Sequence, residues 1–182
     1  MKKLARLTAL LLTGALLLVL TACGAAPGGS ASMTPEEIAA KQRLLDEINN
    51  YRASLDPSLA PLVEVKELSD AEQELIDHFR AAGKTVLSES KGYEALDRWR
   101  SKTKDWSDHY DFGPDWGNDK DGNYSYILFD NAKVPANTPE GNAELRTTLG
   151  SSGAFNCKDC KSIGIAVVTI KGQMYWSCCM YN

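Results

Sequence analysis

The chain has 182 residues, with 20 basic and 24 acidic side chains for a net charge of −4, and 43% of its residues are hydrophobic. That length suits one domain that buries a full hydrophobic core. An acidic chain lacks the cationic surface on which phosphate binding rests, so nucleic acid is excluded as a partner.

Lys2, Lys3 and Arg6 precede an apolar run from Leu7 to Leu20, which closes on Leu20-Thr21-Ala22-Cys23. A basic start, an apolar core and small residues at a cleavage point are the parts of an export signal. The run is short for a spanning helix, which needs about 20 apolar residues. This segment resembles a bacterial lipoprotein signal; an ordinary secretory signal or a short membrane anchor is the alternative. The resemblance implies that residues 1–22 are removed and that Cys23 carries a lipid on its sulfur as the new N-terminus. Loss of Lys2, Lys3 and Arg6 leaves 17 basic against 24 acidic residues, a net of −7 over 182 − 22 = 160 residues. Attachment to the membrane therefore rests on the Cys23 lipid and not on charge. The expected location is extracytoplasmic, lipid-anchored to a bacterial membrane. Residues 23–32, rich in Gly, Ala and Ser, read as a flexible tether with a reach of about 15–18 Å. Residues 33–182 form the expected folded domain.

Thr34-Pro35-Glu36-Glu37 has the capping box and first-turn proline of a helix start. Ile38, Leu44, Leu45, Ile48 and Tyr51 supply a stripe at helical spacing, and the helix is expected to end between Ala53 and Leu55. Ser69-Asp70-Ala71-Glu72 reads as a second capping box, leading a helix to Arg80–Ala82 with Gly83 as terminator. Leu68, Leu75, Ile76 and Phe79 face the core, and His78 has a structural role. A third helix is expected over Gly92–Lys104, with Ala95, Leu96 and Trp99 inward. The acidic, aromatic stretch from Asp105 to Trp116 reads as a long ordered loop. Tyr124–Asp130 alternates as a strand, and Ile163–Ile170 with Gln173–Tyr181 form a hairpin about Lys171-Gly172. Helices first, strands late and no βαβ alternation predict an α+β domain with an antiparallel sheet.

Leu44-Leu45-Asp46-Glu47-Ile48-Asn49-Asn50-Tyr51-Arg52 is similar to the first helix of the CAP superfamily, the cysteine-rich secretory, antigen 5 and pathogenesis-related proteins. Ala60-Pro61-Leu62, with Leu68 and Ala71, resembles the segment leading into that family's second helix. Ile163-Gly164-Ile165-Ala166 and Tyr175-Trp176 resemble its closing hairpin. The resemblance covers about half of the domain and implies an α-β-α three-layer sandwich with a central antiparallel sheet. Its cleft usually carries two histidines and two acids, which bind zinc or another divalent ion in some members. His109 in Ser107-Asp108-His109 matches the first histidine, and Asp130-Asn131 stands at the Gly-Glu-Asn position with a shorter acid. Ser151-Ser152-Gly153-Ala154 matches the later histidine element with Ala154 in the histidine's place. One imidazole and one carboxylate are too few for zinc, so neither metal nor other cofactor is expected.

Cys157, Cys160, Cys178 and Cys179 remain after the anchor, and four cysteines allow three disulfide connectivities. Neighbours on a strand point to opposite faces, which disfavours a shared zinc ion and a Cys178–Cys179 bond. Bridges joining the 157/160 loop to the last strand are the expectation, with a zinc cluster or a redox-active Cys-x-x-Cys as alternatives. Asp119-Lys120-Asp121-Gly122-Asn123 has the middle of a calcium loop without its ends, and a polar turn explains it. No Gly-x-Ser-x-Gly turn is present, and only His78 and His109 could serve a nucleophile. The function expected is a membrane-anchored binding module with a degenerate cleft of His109, Asp130, Trp106 and Trp116, whose aromatic surfaces suit a lipid, glycan or peptide. The alternative is an extracytoplasmic hydrolase, or a zinc or thiol protein built on the four cysteines.

Overall fold

Thr34-Pro35-Glu36-Glu37 opens the first helix of the computed structural model, which describes residues 33–106 and 110–182. The expected export signal, Cys23, the expected tether and His109 lie outside the described residues. Helix α1, Pro35–Leu55, starts on a complete capping box: Thr34 Oγ1 accepts from the Glu37 N–H, and Glu37 Oε2 accepts from the Thr34 N–H. Such a cap contributes about 1 kcal/mol. The buried stripe is Glu37, Ala40, Leu44, Ile48 and Arg52, so Ile38 is exposed and not in the core. The helix is rotated by one position because the Glu37 carboxylate is used inside, against Arg80 and the Thr169 N–H.

Helix α2, Lys66–Ala82, begins three residues before the expected cap and ends at Gly83 in the left-handed conformation, φ 60°. Ser69 and Glu72 are therefore buried side chains within the helix and cap nothing. Leu68, Leu75, Ile76 and Phe79 face the core as expected. Helix α3, Glu89–Thr103, buries Ala95 and Trp99. Helix α4, Pro139–Ser152, was not expected, because its inward face holds little more than Gly141, Leu145 and Leu149. Its start nonetheless carries a Thr138 cap followed by proline.

Seven strands follow in chain order among the described residues: β1 Val63–Glu64, β2 Val86–Ser88, β3 Tyr110–Phe112, β4 Asp115–Asn118, β5 Tyr124–Ile127, β6 Ser162–Ile170 and β7 Gln173–Tyr181. They make a four-stranded sheet in the order β1-β6-β7-β3 and a three-stranded sheet in the order β2-β5-β4. The large sheet is mixed, since β1 runs parallel to β6 while the other pairs are antiparallel. The stretch expected as a loop holds β3 and the start of β4. There Phe112 pairs with Cys178 and is buried, while the exposed acids around it hide the strand from a composition reading. The β6–β7 turn has Lys171 at φ 50° and Gly172 at φ 82°, the two left-handed residues a tight hairpin requires.

Successive β7 residues point to opposite faces. Ser177 meets Glu72 of α2, whereas Trp176 packs on Phe155 from a 3-10 turn beside α1. Helices α2 and α3 therefore cover one face of the hairpin, and α1 with α4 covers the other, giving three layers of an α+β fold. Beyond β1, the outer edge of β6 is closed by side chains. Ser69 Oγ accepts from the Ile165 N–H, Gln73 Nε2 donates to the Val167 carbonyl, and Glu37 Oε1 accepts from the Thr169 N–H at 2.7 Å. A bare edge would invite another strand; here side chains take up three of its backbone groups.

Candidate functional site

The expected cleft residues that the structure describes do not converge. Trp106 is half-buried against Tyr181, with ring centroids 5.4 Å apart. Asp130 is exposed in a 3-10 turn, paired with Lys133, which bridges to Tyr175. Six residues of β7 separate Tyr175 from Tyr181, roughly 20 Å of strand. Trp116 lies in the smaller sheet, among Tyr93, Tyr124 and Tyr126. Ala154, matched to a histidine only by the sequence resemblance, begins the 3-10 turn that carries Phe155.

The cysteines pair differently from the expectation. Cys157 and Cys160 are bonded to each other, while Cys178 and Cys179 are free and buried. The last strand is the reason: Cys178 and Cys179 sit opposite Ile165 and Gly164 at the sheet centre, covered on both faces. Cys157 and Cys160 lie 5.6 Å apart at Cα, within ordinary bridging range. Burial raises the Cys178 and Cys179 thiols far above their usual range, so both stay protonated. No group of three or more His, Cys, Asp or Glu side chains that could hold a metal is present among the described residues. Beside the bridge lies Arg52, 1% exposed, a cation with no carboxylate partner among the described residues. Its guanidinium instead donates to the carbonyls of Ala60, Phe155, Cys157 and Cys160, at 2.8–3.3 Å.

The most perturbed carboxyl is Glu72, fully buried between α2, α3 and β7. Trp99 Nε1–H donates to it at 2.6 Å, and Ser177 Oγ–H and the Cys179 thiol donate as well. Burial pushes its pKa up to about 7; the three donors oppose that shift, and the Asp111 charge adds to it. Ser177 and Glu72 have the chemistry of a nucleophile and its base. The adjoining cavity, of about 20 Å³, is nonetheless too small for a substrate and has room for a single water. His78 is half-buried on α2, and burial, then the Arg98 charge, lowers its pKa; its Nε2 faces no partner.

A larger opening lies at the other end of the hairpin. This groove, of about 980 Å³, runs between the α2 terminus at Gly83–Val86, the β4–β5 turn and the β6–β7 turn. Tyr124 on its wall is half-exposed and stacks on Trp116, with centroids 5.1 Å apart and planes 10° off parallel. Lys84, Ser88, Asn123, Lys171 and Gln173 supply polar groups around that ring. In the β4–β5 turn, Asp119 accepts from the Asp121 and Asn123 N–H groups, so its carboxylate closes its own loop. Hydrogen bonding by Asn123 holds the Asp119 pKa below the usual range.

Glu72, Ser177, Arg52 and Tyr124 were not read from the sequence as site residues. Two signals could have found them: Ser177 is a hydroxyl inside an otherwise apolar strand, and Arg52 continues the Leu44–Ile48 stripe by one helical turn. A polar residue on a buried face must find partners, and both do.

No protein-family description matches the chain, and no curated protein matches it in sequence. Among solved structures, the crystal structure of hookworm platelet inhibitor is similar at a TM-score of 0.35 and 12% identity. The match covers 84% of this chain and 73% of that one.

Proposed function

We propose that this chain is a lipid-anchored, extracytoplasmic binding module built on a divergent CAP-like domain, and that its ligand seats in the groove beside Tyr124. The anchor rests on Leu20-Thr21-Ala22-Cys23 and the family reading on the helix and hairpin residues that resemble it. A disulfide in a small domain fits an oxidising compartment. The observation that carries the binding reading is the groove itself, with one face of the Tyr124 ring backed by Trp116 and amides and hydroxyls around it. An aromatic plate with a polar rim matches a polyhydroxylated ligand such as a glycan, whose ring stacks while its hydroxyls bond. Turnover is not part of the reading, because the buried Ser177–Glu72 pair has no space for a substrate.

Titration of a panel of soluble oligosaccharides, followed by calorimetry, tests it. Tyr124→Ala is expected to weaken binding at least tenfold, about 1.4 kcal/mol, while Asp130→Ala leaves it unchanged. Equal affinity in wild type and Tyr124→Ala moves the ligand away from this groove.

A further inference from the structure

We propose that Cys157–Cys160 is a thiol–disulfide exchange site that oxidises a protein dithiol, with Cys157 as the sulfur attacked. Three observations converge on it. The bridge spans only two intervening residues and so closes the kind of ring in which a crosslink restricts the unfolded chain least. A staple placed for stability would reach β7, where two cysteines lie unused. The two sulfurs are also unequal, since Cys157 is half-exposed between exposed neighbours and Cys160 is fully buried.

The reduced form is prepared in advance. The Cys160 N–H points at Cys157 Sγ, 3.2 Å away, where it stabilises negative charge on that sulfur. The Arg52 guanidinium is bonded to the carbonyls of both cysteines and is shared with no acid among the described residues. A buried positive charge beside a thiol favours the thiolate, and a stabilised thiolate makes the corresponding disulfide a stronger oxidant. On the solvent side, exposed Lys158 and Lys161 stand against exposed Asp159 and against Asp56, which interacts with Lys158, so the buried Arg52 carries the bias.

The exchange balances as follows. A thiolate of the substrate dithiol attacks Cys157 Sγ. The Cys157–Cys160 bond breaks, and its electron pair leaves on Cys160 Sγ, which takes up a proton. The second substrate thiolate then attacks the substrate sulfur of the mixed disulfide, and Cys157 departs as a thiolate. The substrate loses two electrons and two protons; the bridge gains the electrons, and the protons pass to Cys160 and to Cys157 or solvent.

The test uses the full chain in detergent, oxidised, mixed with a synthetic peptide carrying two reduced cysteines. Acid quenching, alkylation and mass spectrometry then read which sulfurs have reacted. One peptide disulfide is expected per bridge opened, through a mixed disulfide at Cys157, with Cys178 and Cys179 left unmodified in the native protein. A bridge that stays closed in excess dithiol peptide, or a mixed disulfide at Cys160, overturns the proposal. A second measurement follows alkylation of Cys157 in Cys160→Ala against pH, read by mass spectrometry apart from the buried Cys178 and Cys179. The Cys157 thiol is expected to titrate about one pH unit or more below the usual 8.5. A value at or above 8.5 overturns the proposal even where the wild-type bridge opens.

Discussion

Glu72 is held in its protonated form by burial, and that makes it a pH-dependent element of stability. Its folded pKa of about 7 lies above the value of 4.5 for a free glutamate. The unfolded chain therefore releases this proton first. The contribution is fully present below about pH 4.5 and is lost as pH rises through about 7. The difference is on the order of 3 kcal/mol. Glu72→Gln keeps the shape without the charge, so urea unfolding at pH 5 and pH 8 should show a fall for wild type that the variant largely lacks. A wild type equally stable at both values would mean that Glu72 is ionised in the fold and satisfied by Trp99, Ser177 and Cys179. Arg52 is the opposite case, a buried charge bonded to carbonyls alone, and burial lowers its pKa without removing the proton.

Among the elements, β6 and α2 meet with backbone close to backbone. A Cβ on Gly164 would stand 2.5 Å from the Leu68 carbonyl carbon, and backbone cannot move aside as a side-chain tip can. Gly164→Ala should destabilise the domain by more than about 2 kcal/mol, read as a lower urea midpoint at unchanged slope. Gly122→Ala, in open space at φ 83°, should cost about 1 kcal/mol from backbone strain alone. Comparable losses would mean that α2 yields at Gly164. The hairpin was legible in the sequence because apolar runs flank Lys171-Gly172, and α1 because its cap is complete. The α2 start was misplaced because Ser69 and Glu72 mimic a capping box while serving the interior. The strands β3 and β4 were hidden because a short edge strand with at most one buried residue has no period to detect. The site was less legible than the fold. Groove residues come from three separate turns, and only the folded chain brings Lys84, Asn123 and Lys171 around Tyr124.

At the scale of the whole molecule, no described helix is long and apolar enough to cross a membrane. On the proposed anchor, Cys23 alone decides where the acidic domain resides. Cys23→Ser should shift the protein from the membrane pellet to the soluble fraction and abolish labelling by radioactive palmitate, with thermal unfolding of the domain unchanged. Continued membrane association in that variant would assign attachment to the apolar segment Leu7–Leu20 itself.

The side-chain closure on the edge of β6 has a consequence in time. Glu37 finds its strand partner Thr169 only 132 residues further along the chain, and β1 pairs with β6 across 162 − 63 = 99 residues. Such distant pairings make for slow folding. The first two helices emerge with their apolar faces unpaired and must wait for the hairpin that forms the centre of the sheet. A polypeptide leaving a cell N-terminus first is thus kept from closing until nearly all of it has passed through. On the proposed export, this late arrival of the core keeps the chain threadable.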